Sequence, residues 1–194
     1  MDFKLQNCDV LVNINDRRDP YSSFKRWVMG NPYEHVFIYL GRMKLDLGQV
    51  AWRIPMLFES DGDGVVIESL VTRYGQKVVV MRLKSEFDAK RIDDVIEQAV
   101  KLAYDAKAEY DYRCITRFVL PRLICQKLGL PIPLAWHRDR RQICSEAVFE
   151  IFYRAKLVDI LRPGCVPPMP GDFVTDSLLL EEVHRGILTA EWVS

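Results

Sequence analysis

Apolar residues change their spacing near Asp88, and that switch constrains the fold more than any other feature of the chain. Before it, short runs rich in β-branched residues read as strands: DVLVNI from Asp9, HVFIYLG from His35 to Gly41, VVIESL from Val65 and KVVVMRL from Lys77 to Leu83. The HVFIYLG run alternates, with His35, Phe37 and Tyr39 on one face and Val36, Ile38 and Leu40 on the other. Arg42 to Phe58 is expected to hold one more, irregular strand. DGDG from Asp61 to Gly64 is a hairpin turn signal. After Asp88, apolar residues fall at 92, 95, 96, 99, 100 and 103, which is helical spacing. Tyr110 to Gly129 is also expected to be helical, as is Tyr21 to Met29. A further helix runs from the stretch ICSEAVFEIF to about Lys156. The tail from Pro163 to Ser194 is Pro-rich, then apolar without clear periodicity. Strands first and helices later predict an α+β fold with a largely antiparallel sheet.

A chain of 194 residues fits one domain, residues 1–194, with one sizeable core. Lys+Arg and Asp+Glu both number 27, which argues against a dedicated nucleic-acid binder. Five cysteines, none in a C-x-x-C spacing, argue against a disulfide framework and a zinc site. No basic start with a following apolar run marks a secretion signal, and no apolar segment reaches the roughly 20 residues that span a bilayer. A cytoplasmic protein without stable membrane insertion is the expectation.

Cys144 opens the late helix. By itself it is readable as a small buried apolar residue. At a helix N-terminus, however, unpaired backbone N–H groups lower a thiol pKa from about 8.5 and can donate to an oxyanion. A cysteine nucleophile needs a base. His137 and His184 sit among charged residues and are expected to be solvated, whereas His35 begins an apolar strand. Glu68, a carboxylate inside VVIESL, could orient His35 if the two strands are neighbours. For both residues the plain alternative is structural: a satisfied strand-edge histidine and a solvent-facing acid.

The order of NPYEHVFIYLG, VVIES and ICSEAV resembles that of the permuted papain-like amidases, the circularly permuted, YiiX/YaeF-like branch of the NlpC-type cysteine peptidases. There the histidine strand comes first and the Cys-Ser-Glu helix late. Asp9-Val10-Leu11, Tyr110-Asp111 and PPMPGDFVTDSL from Pro167 to Leu178 resemble other pieces of that family, so the likeness spans about residues 9 to 180. The resemblance implies Cys144 as nucleophile, His35 as general base, Glu68 as the residue orienting it, and Tyr110 beside the nucleophile as an oxyanion or substrate contact. It implies no metal and no cofactor. The substrate it suggests is an amide in a small peptide or a peptidoglycan fragment. A lipid-directed acyltransferase or thioesterase acting on an acyl substrate, and a non-catalytic binding or structural module, are the other classes. The chain departs from the pattern at Cys8 (for glycine), Glu34, Ala147, and Ala106 with Lys107. HRDRR, from His137 to Arg141, is a basic cluster that reads as a solvated loop or as a contact for a substrate anion. The four tryptophans are scattered and carry no assigned role.

Overall fold

The computed structural model describes residues 3–15, 30–46, 51–61, 64–87, 89–105, 125, 128, 143–163, 165 and 167–193. Among the described residues, six strands form one sheet: β1 (Val10–Ile14), β2 (Tyr33–Asp46), β3 (Ala51–Asp61), β4 (Gly64–Ser69), β5 (Lys77–Leu83) and β6 (Leu180–Ile187). Their order is β4-β3-β2-β1-β5-β6, and every pair is antiparallel. Among the described residues, the helices with both ends described are α1 (Ala89–Asp105), α2 (Cys144–Arg154) and the short α3 (Asp172–Thr175), and Cys125 and Leu128 are also helical. This is the α+β layout expected from the change of period.

Strands β1, β2, β3 and β5 alternate between two apolar clusters. Val10, Val12, Val36, Ile38, Phe58, Val79 and Met81 face the helices and pack with Val95 and Ala99 of α1 and with Ala147, Val148, Ile151 and Phe152 of α2. Leu11, Phe37, Tyr39, Leu57, Val78 and Val80 point the other way, onto Leu5, Leu70, Leu188 and Trp192. Full burial of one such aliphatic or aromatic side chain contributes about 1.5–3 kcal/mol, so a two-sided sheet tolerates no shift of register by one residue.

Three expectations need correction. The segment from Arg42 to Phe58 does hold one more strand, β3, which continues to Asp61, but its first residues belong to β2, which runs on to Asp46. Strands β2 and β4 are not neighbours, because β3 lies between them. The tail is not without regular structure. It contributes β6, an edge strand whose outward residues are polar and which therefore carries little apolar signal. The DGDG signal does close a hairpin, with β3 and β4 paired as far as Asp61 and Gly64.

His184 is not a simply solvated side chain. Its ring stacks on Phe3 at 4.2 Å, with Trp192 edge-on at 4.6 Å. The helix expected over 21–29, Tyr110 itself and the basic cluster at 137–141 lie outside the described residues, as does the helix expected over 110–129 apart from Cys125 and Leu128, which are helical. Among the described residues, no helix is long and apolar enough to cross a membrane.

Candidate active site

The first turn of α2 is built around its own sequence. Ile143, the residue before the helix, is extended and has no side-chain acceptor. The cap comes from within: Glu146 accepts the Ile143 backbone N–H at 3.0 Å. Ser145 donates its hydroxyl to the Pro168 carbonyl at 2.7 Å, which ties the helix to the proline-rich segment. Asp172 in turn accepts the Met169 N–H at 2.8 Å and shapes that segment. Serine and glutamate of the Cys-Ser-Glu run are both buried and serve to hold the helix start, leaving the thiol as its chemically unspent group.

Cys144 is 5% exposed and lies against the sheet. Its side chain meets His35, and the backbone of Val36 and of Ser145 borders the sulfur. Burial alone would push the thiol pKa up. The His35 imidazolium and these backbone groups outweigh burial and bring it below its ordinary value.

His35 stands on β2 opposite Asn13 of β1, with its ring 5.9 Å from that of Phe37. Nε2 is 2.6 Å from Glu59 Oε2, which leaves Nδ1 as the nitrogen for Cys144. Burial disfavours the imidazolium, yet the Cys144 thiolate and the Glu59 carboxylate together raise its pKa to about 10. Glu59 is fully buried. An isolated buried carboxylate would take up a proton. Here Oε2 faces His35 and Oε1 accepts from Arg73, so its pKa falls to about 2 despite desolvation.

Glu68, expected to orient His35, does not. The β3–β4 register puts Glu68 opposite Leu57, and β3 supplies the nearer acid, Glu59, opposite Val66. Glu68 accepts the Thr72 hydroxyl at 2.8 Å and lies 3.7 Å from the Arg73 guanidinium. Burial, followed by the neighbouring Glu59, raises its pKa. The structure thus brings Cys144 and His35 together, sets Glu68 one carboxylate further out, and adds Glu59 and Arg73. The hairpin signal already contained Glu59: a turn at 62–63 pairs 59 with 66, so 59 and 68 share a face of adjacent strands.

Cys8 occupies the position where the resembled family carries glycine, and its φ of +69° is the left-handed conformation that favours glycine. Its thiol donates to the Ile92 carbonyl at 3.1 Å. Beside it, the buried Asp9 carboxylate accepts Arg82 Nε and Nη2, both at 2.7 Å, and the Gln6 N–H at 2.8 Å.

A histidine on an early strand facing a cysteine at the start of a late helix, across an antiparallel sheet, defines the permuted papain-like fold. The chain has this fold in common with the metalloprotein yiiX from Escherichia coli O157:H7. The two superpose with a TM-score of 0.62 over 96% of this chain and 100% of that one, at 15% sequence identity. No protein-family model matches the chain, and no curated protein matches it in sequence.

Proposed function

We propose that the protein is a cysteine hydrolase of the amidase type, working through an acyl-enzyme. The observation that carries this reading is the His35 ring held between Cys144 and Glu59. In the resting state the thiol proton sits on His35, giving a thiolate–imidazolium pair. The thiolate attacks an amide carbonyl, and the C–N bond breaks after the carbonyl carbon becomes tetrahedral. In this mechanism the positive N-terminal end of α2 stabilises the oxyanion. His35 gives its proton to the leaving nitrogen, then takes one from the water that cleaves the thioester. Glu59 holds the ring in one orientation and stabilises its charged form. The choice of an amide in a peptide or peptidoglycan fragment rests on the family resemblance.

The test is a panel of acyl electrophiles spanning amides, esters and thioesters, offered to wild type and Cys144→Ala, with the acylated peptide located by mass spectrometry. Acylation at Cys144 that turns over with amides supports the reading. Turnover confined to long-chain esters or thioesters would make the protein an acyltransferase or thioesterase instead. No Cys144-dependent acylation by any member would reject the enzyme reading.

A second reading, a metal-binding protein, draws on yiiX being a metalloprotein and on one cluster. Cys165, Asp172 and Asp176 bring ligand atoms within 4.8 Å of one another. Asp172 already accepts the Met169 N–H, and Asp176 accepts the Thr175 hydroxyl at 2.7 Å, so both carboxylates serve their own turns. Cys144, His35 and Glu59 stand in line with the imidazole in the middle, which suits proton transfer and not chelation. Metal analysis of purified protein, with and without Cys165→Ser, decides this reading.

A further inference from the structure

Glu59 is the most demanding residue of the site. It is a fully buried carboxylate, and only one of its oxygens is used by His35. The other meets Arg73, whose side chain is about a fifth exposed and comes from the 3-10 turn Leu70–Arg73 that follows β4. That turn is firmly seated. Leu70 is fully buried in the second apolar cluster, and Ser69 Oγ accepts the Val71 N–H at 3.3 Å. The Tyr74 N–H closes the turn on the Val71 carbonyl at 3.2 Å, and the Gln76 N–H adds a bond of 3.2 Å to the Arg73 carbonyl. Glu68 borders both Arg73, at 3.7 Å, and Glu59, and the preceding residue, Thr72, holds Glu68 in place.

Charge thus runs outward from Cys144 thiolate to His35 imidazolium to Glu59, and Arg73 and Glu68 both border Glu59. We propose that Arg73 is a positioning residue of the active site, clamping Glu59 so that the carboxylate stays ionised and aimed at His35, with Glu68 and Thr72 holding the clamp. This inference rests on the Cys144–His35 reading above. Arg73 reaches the His35–Cys144 pair through Glu59. The fork of a guanidinium can meet Glu59 and Glu68 at once with fixed geometry, which a lysine ammonium on a flexible stem does less well. Without Arg73, Glu59 would lose the cation on its second oxygen and keep only His35 and the carboxyl of Glu68 beside it, and a proton is its simplest new partner. A neutral Glu59 no longer favours imidazolium, and the thiolate loses its counterion.

The test is the pH dependence of Cys144 alkylation by iodoacetamide, read peptide by peptide, in wild type, Arg73→Met, Arg73→Lys and Glu68→Gln. Thermal melts show which variants fold. A purely structural arginine would change the melt and leave the pH profile alone. The expected result is a wild-type midpoint below that of a free thiol, moved up by about one unit in Arg73→Met. That shift is about a tenfold loss of thiolate on the acid side. Arg73→Lys should move the midpoint part of the way, and Glu68→Gln less. A folded Arg73→Met with the wild-type profile overturns the proposal. Should Arg73→Met not fold, a wild-type profile in Arg73→Lys overturns it equally. A wild-type midpoint already at the free-thiol value is a different failure, because it removes the Cys144–His35 pair itself.

Discussion

Cys144 and Cys8 are both buried cysteines against the same sheet, and burial by itself pushes both thiols up. Their surroundings send them in opposite directions. Cys144 meets an imidazolium and neighbouring backbone groups, and its pKa drops. Cys8 meets desolvation with almost nothing to offset it. Its charged neighbours are Asp9 and Asp93, and its pKa is pushed up to about 12. The lesson is that burial decides only that a thiol is costly to ionise; the sign of nearby charge decides whether it ionises anyway. Cys8 is the small buried apolar residue that Cys144 was first readable as.

The comparison breaks most visibly on deletion. Cys144→Ala should lower amide or acyl turnover by about 10⁴-fold or more, since no other group replaces the nucleophile. Cys8→Ala should leave turnover within about twofold in the same assay. Near-equal losses in the two variants would dissolve the distinction.

His35→Gln is the next largest effect. It removes the cation that opposes burial at Cys144, so the thiol returns to or above its ordinary value. Alkylation of Cys144 at pH 6 should fall by about 100-fold, while Cys8 stays unreactive in both proteins. A rate at pH 6 unchanged by the substitution would mean that the helix N-terminus alone activates the thiol.

The smallest effect lies in stability. Glu59 has a folded pKa of about 2, below its ordinary value of 4.5. Its contribution is therefore present above pH 4.5 and lost as pH falls through about 2. His35, raised from 6.5 to about 10, contributes fully below pH 6.5 and loses that contribution as pH climbs through about 10. Glu59→Gln leaves His35 and Arg73 facing a neutral amide and should destabilise the protein by about 3 kcal/mol at pH 7. The gap to wild type should shrink as pH falls from 4.5 towards 2. Urea midpoints measured across that range check it, and a gap independent of pH would show that Glu59 is not ionised in the folded protein.

Much of the arrangement was legible from local pattern. The change from strand to helix spacing near Asp88 located the sheet and α1, while the pairing of a strand-borne histidine with a helix-opening cysteine, each readable as structural on its own, came from the resemblance to the permuted papain-like amidases. What the sequence hid was strand neighbourhood. Glu68 stood out because it interrupts VVIESL, a clean apolar run. Glu59 did not, because it lies in the irregular stretch before the hairpin turn, where alternation is weak. Yet sheet order decides which acid reaches His35, and β3 intervenes between β2 and β4. β6 escaped notice for a related reason: an edge strand with one solvated face, LEEVHRGI, shows little hydrophobic period. The left-handed backbone at Cys8 explains in physical terms why glycine is the expected residue there.

The central claim is that Cys144 is a thiolate held by His35. Peptide-resolved alkylation of the wild-type protein across pH 5 to 10, following Cys144 and Cys8 in the same samples, measures it most directly. The account predicts a Cys144 midpoint clearly below the free-thiol value of about 8.5, with Cys8 unlabelled until the protein unfolds. A Cys144 midpoint at or above about 8.5, or equal labelling of the two cysteines, would contradict it.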